Sequence, residues 1–344
     1  MTMATRFGLV GAGGIAQAYA QIFRVVDEAR LVGIADTRVE AAKAMGEGAG
    51  CPAFDGHEAL AKGVDLDAVL ICTPPSTHEE ICTYFLEKGI PVLCEKPLST
   101  NGASARRLVQ LAADKDVLFT MATKFRFVDD VIRAKAIVES GILGEIVLFE
   151  NAFTSRVDMS NRWNARPEIS GGGVIIDNGT HSVDIVRYFL GPITEVFAVE
   201  GKRVQSVAVE DTARLFVKSV GGVLGNIDLS WSINKELDSY LDIYGSHGVI
   251  RVGWKQSRYR QLSSTDWVVF GNGYDKVQAM GANIRNFARS VQGLERPLVT
   301  GEDAIASVDV IEAVYRSLNQ GKWTTVYDES PERRARPREA AAAR

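Results

Sequence analysis

In "LCEKPLST" (93–100) a Glu, a Lys and a Pro follow directly on a short apolar run. A lysine at such a strand end is placed either to be solvated or to exchange a proton in a cleft. In "GGGVIIDNGTHSVDIVRYFLG" (171–191), Asp177, His181 and Asp184 fall at i, i+4 and i+7, so a helix carries them on one face. Val174, Ile175, Val183, Ile185 and Val186 fill the rest. The segment is therefore buried, and buried Asp and His require partners. Gly179 within this pattern costs about 1 kcal/mol relative to Ala and signals a close approach by another backbone or a ligand. A satisfied polar cluster in a core helix is the plain alternative. Acid, histidine and glycine together favour chemistry.

A third stretch suits phosphate. "VGAGGIA" (10–16) sets Gly11, Gly13 and Ala16 in a Gly-x-Gly-x-x-Ala turn between a predicted strand and helix. The glycines let a pyrophosphate approach the backbone, and the helix start at Gly14 and Ile15 offers free N–H groups. Asp36 ends the second strand, where an acid accepts hydrogen bonds from adenosine ribose hydroxyls. That favours NAD, although Arg38 two residues on leaves NADP open. "CTPPSTH" (72–78) and "CEKP" (94–97) follow later strands, so Thr73, Pro74, His78, Glu95 and Lys96 are expected to line the cofactor groove.

The elements that must position these residues fall into two groups. Up to about residue 123, apolar strands (6–11, 29–36, 67–72, 90–95, 117–122) alternate with helices (14–26, 37–47, 76–88, 103–114). That is an α/β pattern with a parallel sheet covered on both faces. From 124 to 328 the rhythm changes: a helix at 128–140, a strand at 145–153, a polar loop at 154–172 and the helix at 173–190. Alternating strands between 193 and 270 then predict an open, mainly antiparallel sheet, closed by helices near 276–292 and 302–319. The reading is a dinucleotide-binding α/β domain (1–123), an α+β domain (124–328) and a disordered charged tail (329–344).

The 344 residues favour two domains, and the net charge of −4 gives no reason to expect nucleic acid or an anionic membrane. No apolar run approaches the roughly 18 residues of a membrane span, and the start lacks a secretory pattern, so the cytoplasm is expected. Cys51, Cys72, Cys82 and Cys94 form no Cys-x-x-Cys pair, and the four histidines make no ligand cluster with them, so no metal site is expected.

Taken jointly, Gly-x-Gly-x-x-Ala, "TPPSTH", "EKPLS", "KFRF…ESGILGEI" and the 171–191 segment resemble the glucose–fructose oxidoreductase / inositol dehydrogenase / rhizopine-catabolism (Gfo/Idh/MocA) family over residues 5 to 325. The resemblance implies a Rossmann domain followed by an α+β domain. It implies an NAD(P)-dependent dehydrogenase or reductase acting on a secondary alcohol of a sugar, sugar derivative or cyclitol. It matches Lys96 to the family's catalytic lysine, Asp177 and His181 to its Asp-x-x-x-His pair, and implies a cis Lys96–Pro97 bond. Glu95 is expected at the nicotinamide side or ribose. Rival readings are a sugar–sugar oxidoreductase or a lyase or hydrolase with tightly held NAD(H), and a non-enzymatic sensor.

Two expectations concern what meets the protein. An apolar sheet face without enough chain to cover it predicts a homodimer or homotetramer. Arg156, Trp163 and Arg166 on the 154–172 loop, with Arg162 beside them and Lys124 and Arg126 of "KFRF", could clamp an anionic sugar, which places a uronate, sugar phosphate or nucleotide sugar slightly ahead of a neutral substrate.

Overall fold

The computed structural model describes residues 3–327; the predicted tail at 329–344 lies outside them. The first sheet is built from β1 (Thr5–Val10), β2 (Ala29–Ala35), β3 (Ala53–Phe54), β4 (Ala68–Ile71), β5 (Val92–Glu95) and β6 (Phe119–Ala122). All pairs are parallel, in the order β3-β2-β1-β4-β5-β6. Its helices are α1 (Gly14–Ile22), α2 (Val39–Ala49), α3 (His57–Gly63), α4 (His78–Glu87) and α5 (Gly102–Asp114). Separate apolar cores lie on its two faces, which is why its strands read as continuous apolar runs. The strand order reverses at β1 and β4, so the crevice at their carboxyl ends is the natural ligand position.

The second half begins with α6 (Asp129–Glu139) and β7 (Ile146–Thr154). The loop predicted at 154–172 carries a short 3-10 turn and the one-turn α7 (Pro167–Ser170). It leads into α8 (Val174–Leu190). Strands β8 (Ile193–Glu200), β9 (Thr212–Ser219), β10 (Leu224–Ser230), β11 (Ser239–Gly245), β12 (Gly248–Gly253), β13 (Ser257–Gln261) and β14 (Val268–Gly271) follow. Helices α9 (Lys276–Val291) and α10 (Gly301–Gln320) and the short β15 (Thr324–Thr325) complete the described chain. The sheet runs β14-β13-β12-β11-β7-β10-β9-β8-β15. It is antiparallel except for one parallel pair, β7 with β10. One face packs on α8 through Val174, Val183 and Ile185 against Phe149, Leu215 and Ile227.

The other face is not the apolar surface expected. Phe197 stacks on Phe216 and Trp323, but Asp228 is paired with Arg214 and Lys235, and Trp267 is surrounded by the guanidinium groups of Arg251, Arg258 and Arg260. Alternate strand positions here carry charged side chains that pair along the sheet, so the face is mixed. The two halves also interlock. Met280, Ile284 and Phe287 of α9 belong to the core under β1, and Ala304 and Val308 of α10 to the core on the opposite face.

Candidate active site

Neighbouring strands of the first sheet deliver the chemistry-bearing residues at their carboxyl ends: Gly11 after β1, Thr73 after β4, Lys96 after β5 and Lys124 after β6. Gly11 has φ +101°, and a Cβ there would lie 2.7 Å from the Cys72 carbonyl oxygen, so only glycine fits without strain. A Cβ at Gly13 or Gly14 would meet nothing within 4 Å, and α1 starts without a side-chain cap. An open cradle over uncapped N–H groups, with Ile15 in its first turn, fits a pyrophosphate.

Asp36 closes the cradle. Its Oδ2 accepts from Ala12 N at 2.7 Å and its Oδ1 from Arg38 N at 2.8 Å. Partial burial raises its pKa, but the Arg38 and Ala12 amides outweigh that and hold it below the usual carboxylate range. The exposed Arg38 guanidinium folds onto the same carboxylate at 3.3 Å. A 2′-phosphate would meet that fixed negative charge. Wild type is therefore expected to prefer NAD over NADP by about tenfold or more in kcat/KM, and Asp36→Ala to narrow the ratio by a similar factor, the worth of one charged hydrogen bond. A wild-type preference for NADP would assign control of the pocket to Arg38.

Lys96 follows β5 and precedes Pro97 through a cis peptide bond. Its Nζ donates to Asp177 Oδ1 at 2.5 Å and to the Asp177 carbonyl at 3.1 Å. Glu95 is buried; it accepts from Tyr19 OH at 2.9 Å and from Lys96 N at 3.0 Å. Its burial raises the carboxyl pKa against the pull of Lys96 and Lys124. His181 lies one turn beyond Asp177 on α8, only 8% exposed, with Phe125 edge-on at 5.1 Å. Its Nδ1 has no hydrogen-bond partner. Burial first, then the charges of Lys96 and Lys124, push its pKa well below 6.5, so the imidazole is neutral.

The helix that carries this pair is held by a residue the sequence did not flag. Glu210, buried before β9, accepts through Oε1 from Gly173 N at 2.9 Å, Ile175 N at 3.1 Å and Tyr315 OH at 2.8 Å. It satisfies the first-turn amides of α8 that no N-cap side chain serves. A Cβ on Gly173 would collide with the Glu210 backbone. Gly179 is explained by packing: a Cβ there would come within 3.1 Å of Leu229 and 3.4 Å of Ile311.

Two expected binding residues have other work. His78 is fully buried, with Nδ1 3.0 Å from the Pro97 carbonyl and Nε2 2.9 Å from that of Thr73. It ties the Thr73-Pro74 loop to the Lys96 turn from behind instead of facing the cofactor groove. Arg126 is 4% exposed; Asp184 lies at 2.7 Å and Asp303 at 3.1 Å. Thr123 Oγ1 donates to Asp184 as well. Asp184 thus faces this buried network and not the cleft, and Arg126 ties its own turn to α8 and α10 within the second half instead of meeting substrate. Arg156, Arg162, Trp163 and Arg166 are exposed. No side-chain hydrogen bond or ion pair among the described residues joins the three arginines to Lys96, Asp177 or His181.

Lys124 does reach the site. It opens the 3-10 turn Lys124–Phe127 and is partly buried, and its Nζ makes no hydrogen bond or ion pair among the described residues. Burial, working against attraction by Glu95 and helped by repulsion from Lys96 and Lys276, brings its pKa down to about 8. Tyr274, stacked on Phe125 at 5.2 Å, adds an aromatic wall that the sequence did not single out.

A dinucleotide cradle and a strand-end lysine that meets the Asp one turn before the His of α8 define a nicotinamide-dependent oxidoreductase. Residues 5–123 match the oxidoreductase family with an NAD-binding Rossmann fold, GFO_IDH_MocA, and residues 131–251 match the GFO/IDH/MocA C-terminal domain. The chain belongs to the GFO/IDH/MocA family of NAD(P)-dependent oxidoreductases acting on CH–OH groups. It is 25% identical to inositol 2-dehydrogenase of Rhizobium meliloti (strain 1021), across 94% of this chain and 100% of that one. It is 27% identical to myo-inositol 2-dehydrogenase of Thermotoga maritima, across 92% and 96%. The structure of levoglucosan dehydrogenase with NADH and levoglucosan superposes with a TM-score of 0.87 at 20% identity, covering 94% of this chain and 100% of that chain. No helix of the described residues is long and apolar enough to cross a membrane.

Proposed function

We propose that the protein transfers hydride between nicotinamide and a secondary alcohol or ketone of a sugar, sugar derivative or cyclitol. The observation that carries this reading is the Lys96–Asp177 ion pair one helical turn from a neutral His181. NAD, when bound, supplies the hydride acceptor. Lys96 has three N–H donors; Asp177 engages its ammonium through a carboxylate oxygen and a carbonyl, leaving one N–H to donate to the reacting oxygen and stabilise alkoxide character. Neutral His181 accepts the hydroxyl proton, and its low pKa prevents it from retaining that proton. Asp177 orients the lysine. The substrate class draws support from the relatives named for inositol and levoglucosan. The sugar–sugar, lyase or hydrolase, and sensor readings draw none.

A panel of sugars, sugar acids and cyclitols, including myo-inositol, followed at the reduced-nicotinamide absorbance, tests the proposal. Turnover of at least one ring alcohol is expected; none with either NAD or NADP would overturn it. The mixed open face still exposes Leu148 at 45% and Leu224 at 47%, and it also carries the Phe197–Phe216–Trp323 stack. A homo-oligomer burying it is expected by light scattering at micromolar concentration. A monomer there would contradict it.

A further inference from the structure

We propose that Lys124 anchors a carboxylate of the substrate, so that the alcohol oxidised belongs to a sugar acid. This rests on the dehydrogenase reading of the same cleft. A partly buried ammonium that lies over the Phe125 ring, 5.6 Å from Nζ to the centroid, still lacks an acceptor for its N–H groups among the described residues, and a neighbouring cation makes this less favourable. Lys124 has two such neighbours, Lys96 and Lys276, the latter opening α9. The acids that attract it spend their hydrogen bonds on other groups: Asp177 on Lys96, and Glu95 on Tyr19 and the Lys96 amide. Lys124 Nζ therefore has N–H donors and no acceptor among the described residues, and a single compact ammonium matches a monoanion better than a phosphate dianion. With a pKa of about 8, Lys124 keeps its charge at neutral pH.

The cofactor does not supply that anion. Its phosphates belong at the Gly11 turn after β1, whereas Lys124 follows β6, with β4 and β5 between them. Three strand spacings separate the two by about 14 Å. Lys124 instead lowers the pKa of His181, so it stands within electrostatic reach of the group proposed to take the hydroxyl proton. An ammonium offers a compact point charge with rotatable donors, suited to one carboxylate.

The experiment compares D-glucuronate with D-glucose and D-galacturonate with D-galactose, by calorimetric binding to the NADH-loaded protein and by turnover with NAD. Wild type is expected to favour each acid over its matched sugar by about tenfold or more in both readouts. Lys124→Met should bring that ratio to near one, acting through KM for the acid while kcat holds within about threefold, and Lys124→Arg should restore most of it. Equal affinity for acid and sugar in wild type, or equal losses on both in the Met variant, would overturn the anchor; equal losses in kcat would mark Lys124 as a proton relay. If no pair member is turned over yet acid binding still depends on Lys124, the anchor stands, and the dehydrogenase reading falls only when the wider panel of ring alcohols is inert as well.

Discussion

Lys96→Met and His181→Ala will each lower kcat by about 10²-fold or more, the usual range for lost proton-transfer assistance. In the proposed mechanism Lys96 offers an N–H donor to the reacting oxygen from a turn that His78 fixes from behind, and Met keeps the length of the side chain without the charge. His181→Ala removes the proposed proton acceptor but leaves Gly11, Asp36 and Thr73 untouched, so NADH titrated by fluorescence should bind within about threefold of wild type. The pH profile gives a second reading. A histidine that must be neutral would ordinarily halve activity near its unperturbed pKa of about 6.5. Burial and the Lys96 and Lys124 charges move His181 well below that value, so kcat/KM should stay flat as pH falls from about 7 to about 6, below the range in which Lys124 itself titrates. Near-normal turnover in both variants would remove these residues from the chemistry.

Arg126→Leu will destabilise the fold by about 3–5 kcal/mol, because it strands Asp184, which is 0% exposed, without its cation. For a protein of this size that is a fall in Tm on the order of 10 °C. Replacing Asp184 by Leu in the same chain should recover much of the loss, since an apolar pair removes both buried charges. The KM of the folded fraction should change little. A large rise in KM with unchanged Tm would return Arg126 to the substrate.

That reversal for Arg126 shows where sequence reasoning ends. The strands around Gly11 and Lys96 were legible because burial on both faces writes continuous apolar runs, and α8 because its polar residues fall at helical spacing. The two-residue β3 and the seven-residue α3 were missed, being too short to show a period. The Lys96–Asp177 meeting, 81 residues apart, was recoverable only through the family resemblance. Arg126 and Lys124 sit two residues apart in one turn, yet one is buried against acids 58 and 177 residues away and the other makes no hydrogen bond or ion pair among the described residues. No local pattern distinguishes them. The parallel pairing of β7 with β10 was hidden for the same reason: alternation specifies which face a residue takes, not which strand lies beside it.

The interlocked cores have a bearing on synthesis. By the time residue 123 leaves the ribosome every strand of the first sheet exists, but Phe7 still lacks Phe287, whose ring packs at 6.0 Å, and the apolar surface awaiting α9 and α10 stays open. Strand β7 must likewise wait for residues 224–245 before it gains either neighbour. The nascent protein therefore carries two unfinished halves until nearly its whole length has emerged, an interval in which exposed strand edges invite chaperones or aggregation. Expressed alone, residues 1–123 would retain that defect permanently.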